Sequence, residues 1–341
     1  MRRSVVGLAL GILVAATPVA LAQDYRAPRT SFGQPDLQGR WTTQSATQLS
    51  RPSGVTSLVV SEAEAEKIVN SSFWNAAAAR QEAETIDTSK APEGGAGARL
   101  ENQGYNSFWL EPGTSLARIK GELRSSWITT PATGQVPMSE EGRKRVSAYQ
   151  AQMKRPRNYM FNGGVMNDPE QMPNSERCLI LSGPVMLNPV YNANYQIVQT
   201  PDHVMIMVEM IHDARIIPLR TNHKPDAIKP WIGDSIGWWE GDTLVVETRN
   251  LHPQQASAGP IYLSEKGKVT ERFTRISNGE IFYEFQVDDP AYYSQVWGGE
   301  IQMRSQKEGI YEYACHEGNY GMWNILSGAR IDEAKEGAAS Q

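Results

Sequence analysis

Hydrophobic and polar positions alternate most strictly between residues 203 and 217. Every second residue reads His203, Met205, Met207, Glu209, Ile211, Asp213, Arg215, and those between read Val204, Ile206, Val208, Met210, His212, Ala214, Ile216. A period of two marks a β-strand with two unlike faces. One face is aliphatic core. The other mixes methionines with an imidazole, two carboxylates and a guanidinium, and suits the lining of a ligand cavity. An unbroken strand over this run would extend about 50 Å at ~3.3 Å per residue, so the run must bend; His212 and Asp213 are the expected break.

The chain after Cys178 is almost wholly β in pattern. Residues 235–239 and 243–249 read as a hairpin around Glu240-Gly241-Asp242, and residues 269–276 and 281–287 as a second, joined at Ser277-Asn278-Gly279. Residues 296–304 and 310–316 read as a third. Successive hairpins make an antiparallel meander, and closing it removes the exposed edges. The pattern predicts a mainly β protein: an antiparallel up-and-down β-barrel, lipocalin- or calycin-like, with two N-terminal helices and a C-terminal helix or arm over 322–335. Ser61 and Glu64 have the capping-box spacing for a helix over 62–84. Ser139, followed by Glu140 and Glu141, opens a helix over 139–153. Residues 125–130 read as a strand, and 155–176 as a long surface loop.

Arg2 and Arg3 precede an apolar run over 5–14, and Ala20-Leu21-Ala22 has the small-x-small form of a signal-peptidase site. The expected organisation is a signal peptide over 1–22, an arm with a short strand and helix over 23–104, and a barrel domain over 105–341 containing the 139–153 helix. The expected location is periplasmic or secreted, and no later run is apolar enough to insert into a membrane. With Arg2 and Arg3 set aside, 31 of the 33 basic residues face 38 acidic ones, and there is no basic cluster. Nucleic acid is therefore excluded as an expected partner. The two cysteines, Cys178 and Cys315, are expected to pair in an oxidising compartment, pinning the end of the long loop beside the end of the last strand.

Gly39-x-Trp41 resembles the Gly-x-Trp signature of the first lipocalin strand, where the Trp plugs one end of the barrel. The motifs PDLQGRW, YNSFWLEPGT, HDARIIPL, GDSIGWWEGDTLVVET, YEFQVDDP and YEYACHEGNYGM together resemble a family of exported bacterial proteins, most of them without an assigned activity. That resemblance implies export and carries no mechanism.

Two clusters concentrate reactive groups. In the first, His212 would act as general base, Asp213 would orient it or act as the acid, and Arg215 would bind an anionic or carbonyl oxygen. In the second, His316 and Glu317 would exchange protons, with Asn319 and Tyr320 contacting substrate where the last strand opens into a loop. Glu209 and Met207 on the mixed face, and Trp238 beside Trp239, complete the expected binding surface; Trp231 is a further candidate platform. A metal held by His203, His212 and His316 with Glu209 or Glu317 is the weaker alternative, since no His-x-His spacing supports it. The sequence lacks Gly-x-Gly-x-x-Gly, a phosphate loop and Gly-x-Ser-x-Gly. The expectation is an exported enzyme without cofactor or metal, of lyase, isomerase, hydratase or hydrolase type. Its substrate would be a cyclic, aromatic or carbohydrate-derived small molecule. The alternative is a non-catalytic carrier of an apolar or glycosidic ligand.

Overall fold

The period-two segments form strands that pair in chain order. A computed structural model describes residues 25–76, 111–152, 168–172, 174–175, 177–179, 183–220, 222–254 and 260–339. Strand β1 (Gly39–Thr42) is followed by a small outlying sheet, β2 (Val59–Val60), β3 (Arg118–Ile119) and β4 (Glu122–Arg124), with helix α1 (Glu62–Ser71) after β2. Then come β5 (Ile128–Thr130) and α2 (Glu140–Gln152). The main run is β6 (Asn194–Gln199), β7 (His203–Val208), β8 (Ala214–Pro218), β9 (Asp234–Glu240), β10 (Thr243–Arg249), β11 (Lys268–Ser277), β12 (Glu280–Asp288) and β13 (Trp297–Ser305). Helix α3 (Tyr320–Ala339) ends it. The expected signal peptide, the far part of the 62–84 helix, the YNSFW aromatic cluster and most of the 155–176 loop lie outside the described residues.

The sheet order is β8-β7-β6-β1-β13-β12-β11-β10-β9, antiparallel at every step. This is a nearly closed up-and-down barrel, as the pattern predicted. Strict alternation around nine strands leaves one neighbouring pair parallel, and that pair is β8 and β9. A single bridge, Leu219 to Gly237, joins them. A Cβ at Gly237 would stand 3.1 Å from Ile217 Cγ2 and 3.2 Å from Leu219 Cδ2, so side chains rather than a ladder close the seam.

Inward positions follow the pleat: Trp41, Tyr195, Ile197, Val204, Ile206, Ile217, Leu244, Val246, Phe273, Tyr283, Phe285, Trp297 and Ile301 all belong to one buried core. Fully burying each large apolar side chain contributes about 1.5–3 kcal/mol. Gly39 has φ 139° and leaves its Cβ position to the Trp41 indole, whose Nε1 donates to Leu37 O at 3.0 Å. The Gly-x-Trp pair therefore does sit at a barrel end. The arm before it crosses the same end, through Arg29 to Asp242 (2.5 Å), Tyr25 to Asn278 and Gln34 to Pro201.

Three expectations are corrected. The alternation from residue 203 does not keep its faces: a one-turn 3-10 helix, Met210–His212, interrupts it. Beyond that turn Ile206 pairs with Arg215 and Val204 with Ile217. The connecting turn shifts the parity, so Arg215 points inward with the aliphatic residues of β7, while Met205 and Met207 face outward. The third hairpin has one arm only. Residues 310–316 form no strand, because the tail leaves the sheet at Ser305 and is held by Gln306 N to Arg40 O and Tyr311 N to Glu209 Oε1. The expected helix over 62–84 is broken: α1 stops at Ser71, Ser72 turns extended at ψ 129°, and residues 73–76 are helical again. The capping box at Ser61 and Glu64 is present, and Ser139 caps α2 by accepting from Gly142 N at 2.9 Å.

Candidate functional site

The barrel ends differ. Tight turns at 200–202, 241–242 and 278–279 close the end capped by the arm. The long connections 43–193, 250–267 and 289–296 and the β7–β8 turn emerge at the other end, while 219–233 leaves the capped end, where Leu219 N donates to Asp202 O, and crosses back to start β9 at the other. Sites on rigid barrels are carried by such loops.

That second end is filled from within by residues 183–189. Val185 and Met186 are buried in the core. Their backbone is held by side chains of the wall: Arg215 Nη1 donates to Pro184 O (3.1 Å), Met186 N donates to Tyr283 Oη (3.0 Å), and Tyr195 Oη donates to Leu187 O (2.7 Å). A buried loop needs partners for its peptide groups, and these supply them. Behind this segment Arg215 and Glu271 form a bidentate pair at 2.6 and 2.9 Å, and Tyr283 Oη donates to Glu271 Oε1 at 2.9 Å. Burial pushes the Tyr195 and Tyr283 phenols up, keeping them neutral donors. Arg215 is thus matched by Glu271 and the segment, and offers a substrate oxyanion no uncommitted charge.

A cavity of about 50 Å³ remains between this segment and the β7–β8 turn. Pro184, Met186, Ile206, Met210 and Ile232 line it, with Asp213 and Arg215 as its charged groups. It is large enough for one or a few water-sized groups. A carrier holding a ligand inside the barrel would have to displace residues 183–189. Asp213 is half-buried, and desolvation raises its carboxyl above the usual range. The Ala214 N–H (3.0 Å to Oδ1) and Arg215 oppose that shift. Ile211 and His212 beside it have φ 64° and 60°. For non-glycine residues, and a β-branched one above all, this left-handed backbone costs of order 1–3 kcal/mol each. His212 itself is exposed at the rim.

Glu209 lies beneath the turn, 1% exposed, and its carboxylate is fully used: Asn194 Nδ2 donates to Oε2 (2.5 Å) and Tyr311 N to Oε1 (3.0 Å). It ties the tail to the barrel. Nearby, Glu111 has a raised carboxyl, from burial first and then from Glu209 and Glu308. Cys178 and Cys315 are bonded, with Cα atoms 5.8 Å apart, as expected. Asn319 caps α3 by accepting from Met322 N (3.2 Å) and donates to Cys178 Sγ (3.6 Å). His316, Glu317 and Tyr320 are exposed around this staple and do not line the cavity.

The structure therefore brings Asp213 and Arg215 to one cavity with His212 at its edge, and gives Glu209 and Asn319 holding roles. Met207 faces outward from the barrel wall. Trp238 does too, its Nε1 donating to Glu240 at 3.0 Å, while its neighbour Trp239 packs against the core. Trp231 stacks on His252 with centroids 4.0 Å apart. His203 and His212 stand at opposite ends of the β7 hairpin, so the expected metal set does not converge. Among the described residues no group of three His, Cys, Asp or Glu side chains could hold a metal ion.

Sequence reasoning missed Glu271, Tyr283 and Tyr195. The signal was present: Glu271 sits between Val269 and Phe273 at an inward-facing position of a strand, where a carboxylate needs a partner. It also missed His223, whose Nδ1 lies 3.0 Å from Asp234 and Nε2 3.2 Å from Glu247, fastening the β8–β9 connection to the outside of the wall.

No family model matches the sequence, and no curated protein matches it. Among the described residues no helix is long and apolar enough to cross a membrane.

Proposed function

We propose that the protein is an exported enzyme that performs acid–base chemistry, without cofactor or metal, on a small cyclic, aromatic or carbohydrate-derived molecule at the loop-bearing barrel end. Asp213 is the proton donor and the adjacent His212 the proton acceptor, giving a lyase, isomerase, hydratase or hydrolase. The observation that carries the reading is Asp213: a carboxyl on the wall of an apolar cavity, kept toward its protonated form by desolvation, while the nearest cation is consumed by Glu271. Perturbed carboxyls in such places are the usual acids of enzyme sites. Backbone strain at Ile211 and His212 fits a turn shaped for chemistry. The cavity's size fits the reacting end of a small substrate, with the rest at the rim near His212 and the tail carrying His316 and Glu317. The disulfide fits an oxidising compartment.

The test is an activity screen of the purified protein over cyclic, aromatic and sugar-derived compounds, followed by Asp213→Asn and His212→Ala. Loss of an acid or base typically lowers turnover ~10²–10⁴-fold. Turnover unchanged by Asp213→Asn rejects the assignment.

A further inference from the structure

The connection between β8 and β9 is fastened to the outside of the wall by one imidazole set between two carboxylates. His223 Nδ1 lies 3.0 Å from Asp234 Oδ2, and its Nε2 lies 3.2 Å from Glu247 Oε1. Both carboxylates already act as acceptors. Asp234 takes the Lys224 N–H at 2.7 Å and faces Arg220 Nη2 (3.4 Å) and Lys224 Nζ (3.9 Å); Glu247 Oε1 takes Arg249 Nη2 at 2.9 Å. An ionised carboxylate can only accept, so both ring nitrogens have to donate, and the imidazolium alone carries two N–H groups. The neutral ring donates to one carboxylate and turns a lone pair toward the other.

The fastening sits beside the one pair of neighbouring strands that lacks a ladder. Strands β8 and β9 share a single bridge, Leu219 to Gly237. Glu247 stands opposite Ile236 in the β9–β10 register, and Val245 alternates with Leu244 and Val246 of the core. Ile236 and Val245 therefore face outward, yet they are only 3% and 1% exposed, so this part of the wall is covered. Farther along, Lys229 pairs with Glu265 and Trp231 stacks on His252, so the His223 fastening governs the first half of the connection. We propose that this connection is a pH-sensitive strap, fastened beside the β8–β9 seam while His223 is protonated and released over its first half when the ring loses its proton. The tether is complete at low pH and is lost as pH rises, the sign expected of an imidazole that gains acidic partners on folding. It does not depend on the role given to Asp213.

Hydrogen-exchange mass spectrometry of the full chain at about pH 5.5 and about pH 8, on either side of the imidazole range, tests this. The reporters are the Lys224 and Ile228 amides, which donate to Asp234 and to Pro225 O. After correction for the intrinsic pH dependence of exchange, residues 222–228 should lose about tenfold or more of their protection at the higher pH, relative to residues 268–288 of β11 and β12. Glu247→Gln should abolish the difference and keep the strap protected at both pH values, because an amide can donate to the neutral ring nitrogen where a carboxylate cannot. A parent strap equally protected at both pH values overturns the proposal. So does a Glu247→Gln variant that responds to pH as the parent does, or one whose strap is unprotected throughout.

Discussion

Arg215 on β8 and Glu271 on β11 meet across the barrel interior as a bidentate ion pair, with side chains 7% and 0% exposed. Each charge is desolvated, so each depends on the other. Removing one, as in Glu271→Ala, leaves a buried guanidinium uncompensated and should cost about 3–5 kcal/mol. Replacing both by apolar residues, Arg215→Met with Glu271→Leu, should cost clearly less than either single change. Urea denaturation of the double variant and of each single one reads the difference; a double variant that costs the sum of the two single changes would show that the pair is not coupled.

Asp213 makes stability depend on pH with a definite sign. Its folded carboxyl is raised above the ordinary value of 3.8, chiefly by desolvation. The folded state therefore holds this proton more tightly than the unfolded state. Stability from Asp213 is full below about that value and declines as pH rises through the folded pKa. Asp213→Asn removes the cost of the buried charge. The variant should melt higher than the parent at neutral pH, with the gap closing as pH falls toward 4. A gap that widens on acidification would mean that Asp213 is stabilised as the carboxylate.

At Gly299 the backbone of β13 passes under Trp127, and an added Cβ would lie 2.2 Å from Trp127 O. Strand β5 pairs with β13 at this point, Ile128 opposite Gly299. Gly299→Ala has to push two backbones apart, and a destabilisation of about 1–3 kcal/mol is expected. Its effect should exceed that of Gly318→Ala in the tail, where a Cβ meets nothing within 4 Å. Thermal melts compare the two directly.

The bond between Cys178 and Cys315 closes a span of 137 residues. In the chain-entropy model such a loop is worth about 5 kcal/mol. Reduction should lower the unfolding midpoint. Before unfolding, it should speed amide exchange in residues 312–319, beyond the anchors at Gln306 N, Lys307 O and Tyr311 N. Exchange that is unchanged after reduction would place the anchorage elsewhere.

Much of the barrel was legible because a strand writes its two faces into every second residue. The hairpins at Gly241 and Asn278-Gly279 followed from that period and from their turn residues, and the disulfide from two cysteines in a chain that reads as exported. The faces around Arg215 were not legible, because the Met210–His212 turn shifts parity at a point where the sequence keeps alternating. Nor was the filling of the interior: residues 183–189 carry two prolines and no period, and only their bonds to Tyr195, Arg215 and Tyr283 show that they belong inside. Residues 310–316 look like a strand because Ile310, Tyr311 and Tyr313 suit one, yet no free edge of the ring is there to receive them. The site suffered most from this, since Asp213 was placed by the sequence beside a free arginine that Glu271 in fact holds.

Strand β1 leaves the ribosome early and waits longest. Its edges are completed by Asn194–Gln199 on one side and by Arg304 and Ser305 on the other, so it has no ladder partner until more than half of the chain has been made and none on its second edge until nearly all has. Such long-range pairings are slow, because the loop must close before the contacts reward it. The ring therefore cannot be completed until β13 has been made. The interval before closure leaves Trp41 and its apolar neighbours exposed, a window in which a holding chaperone would find this chain and the finished barrel would not be recognised.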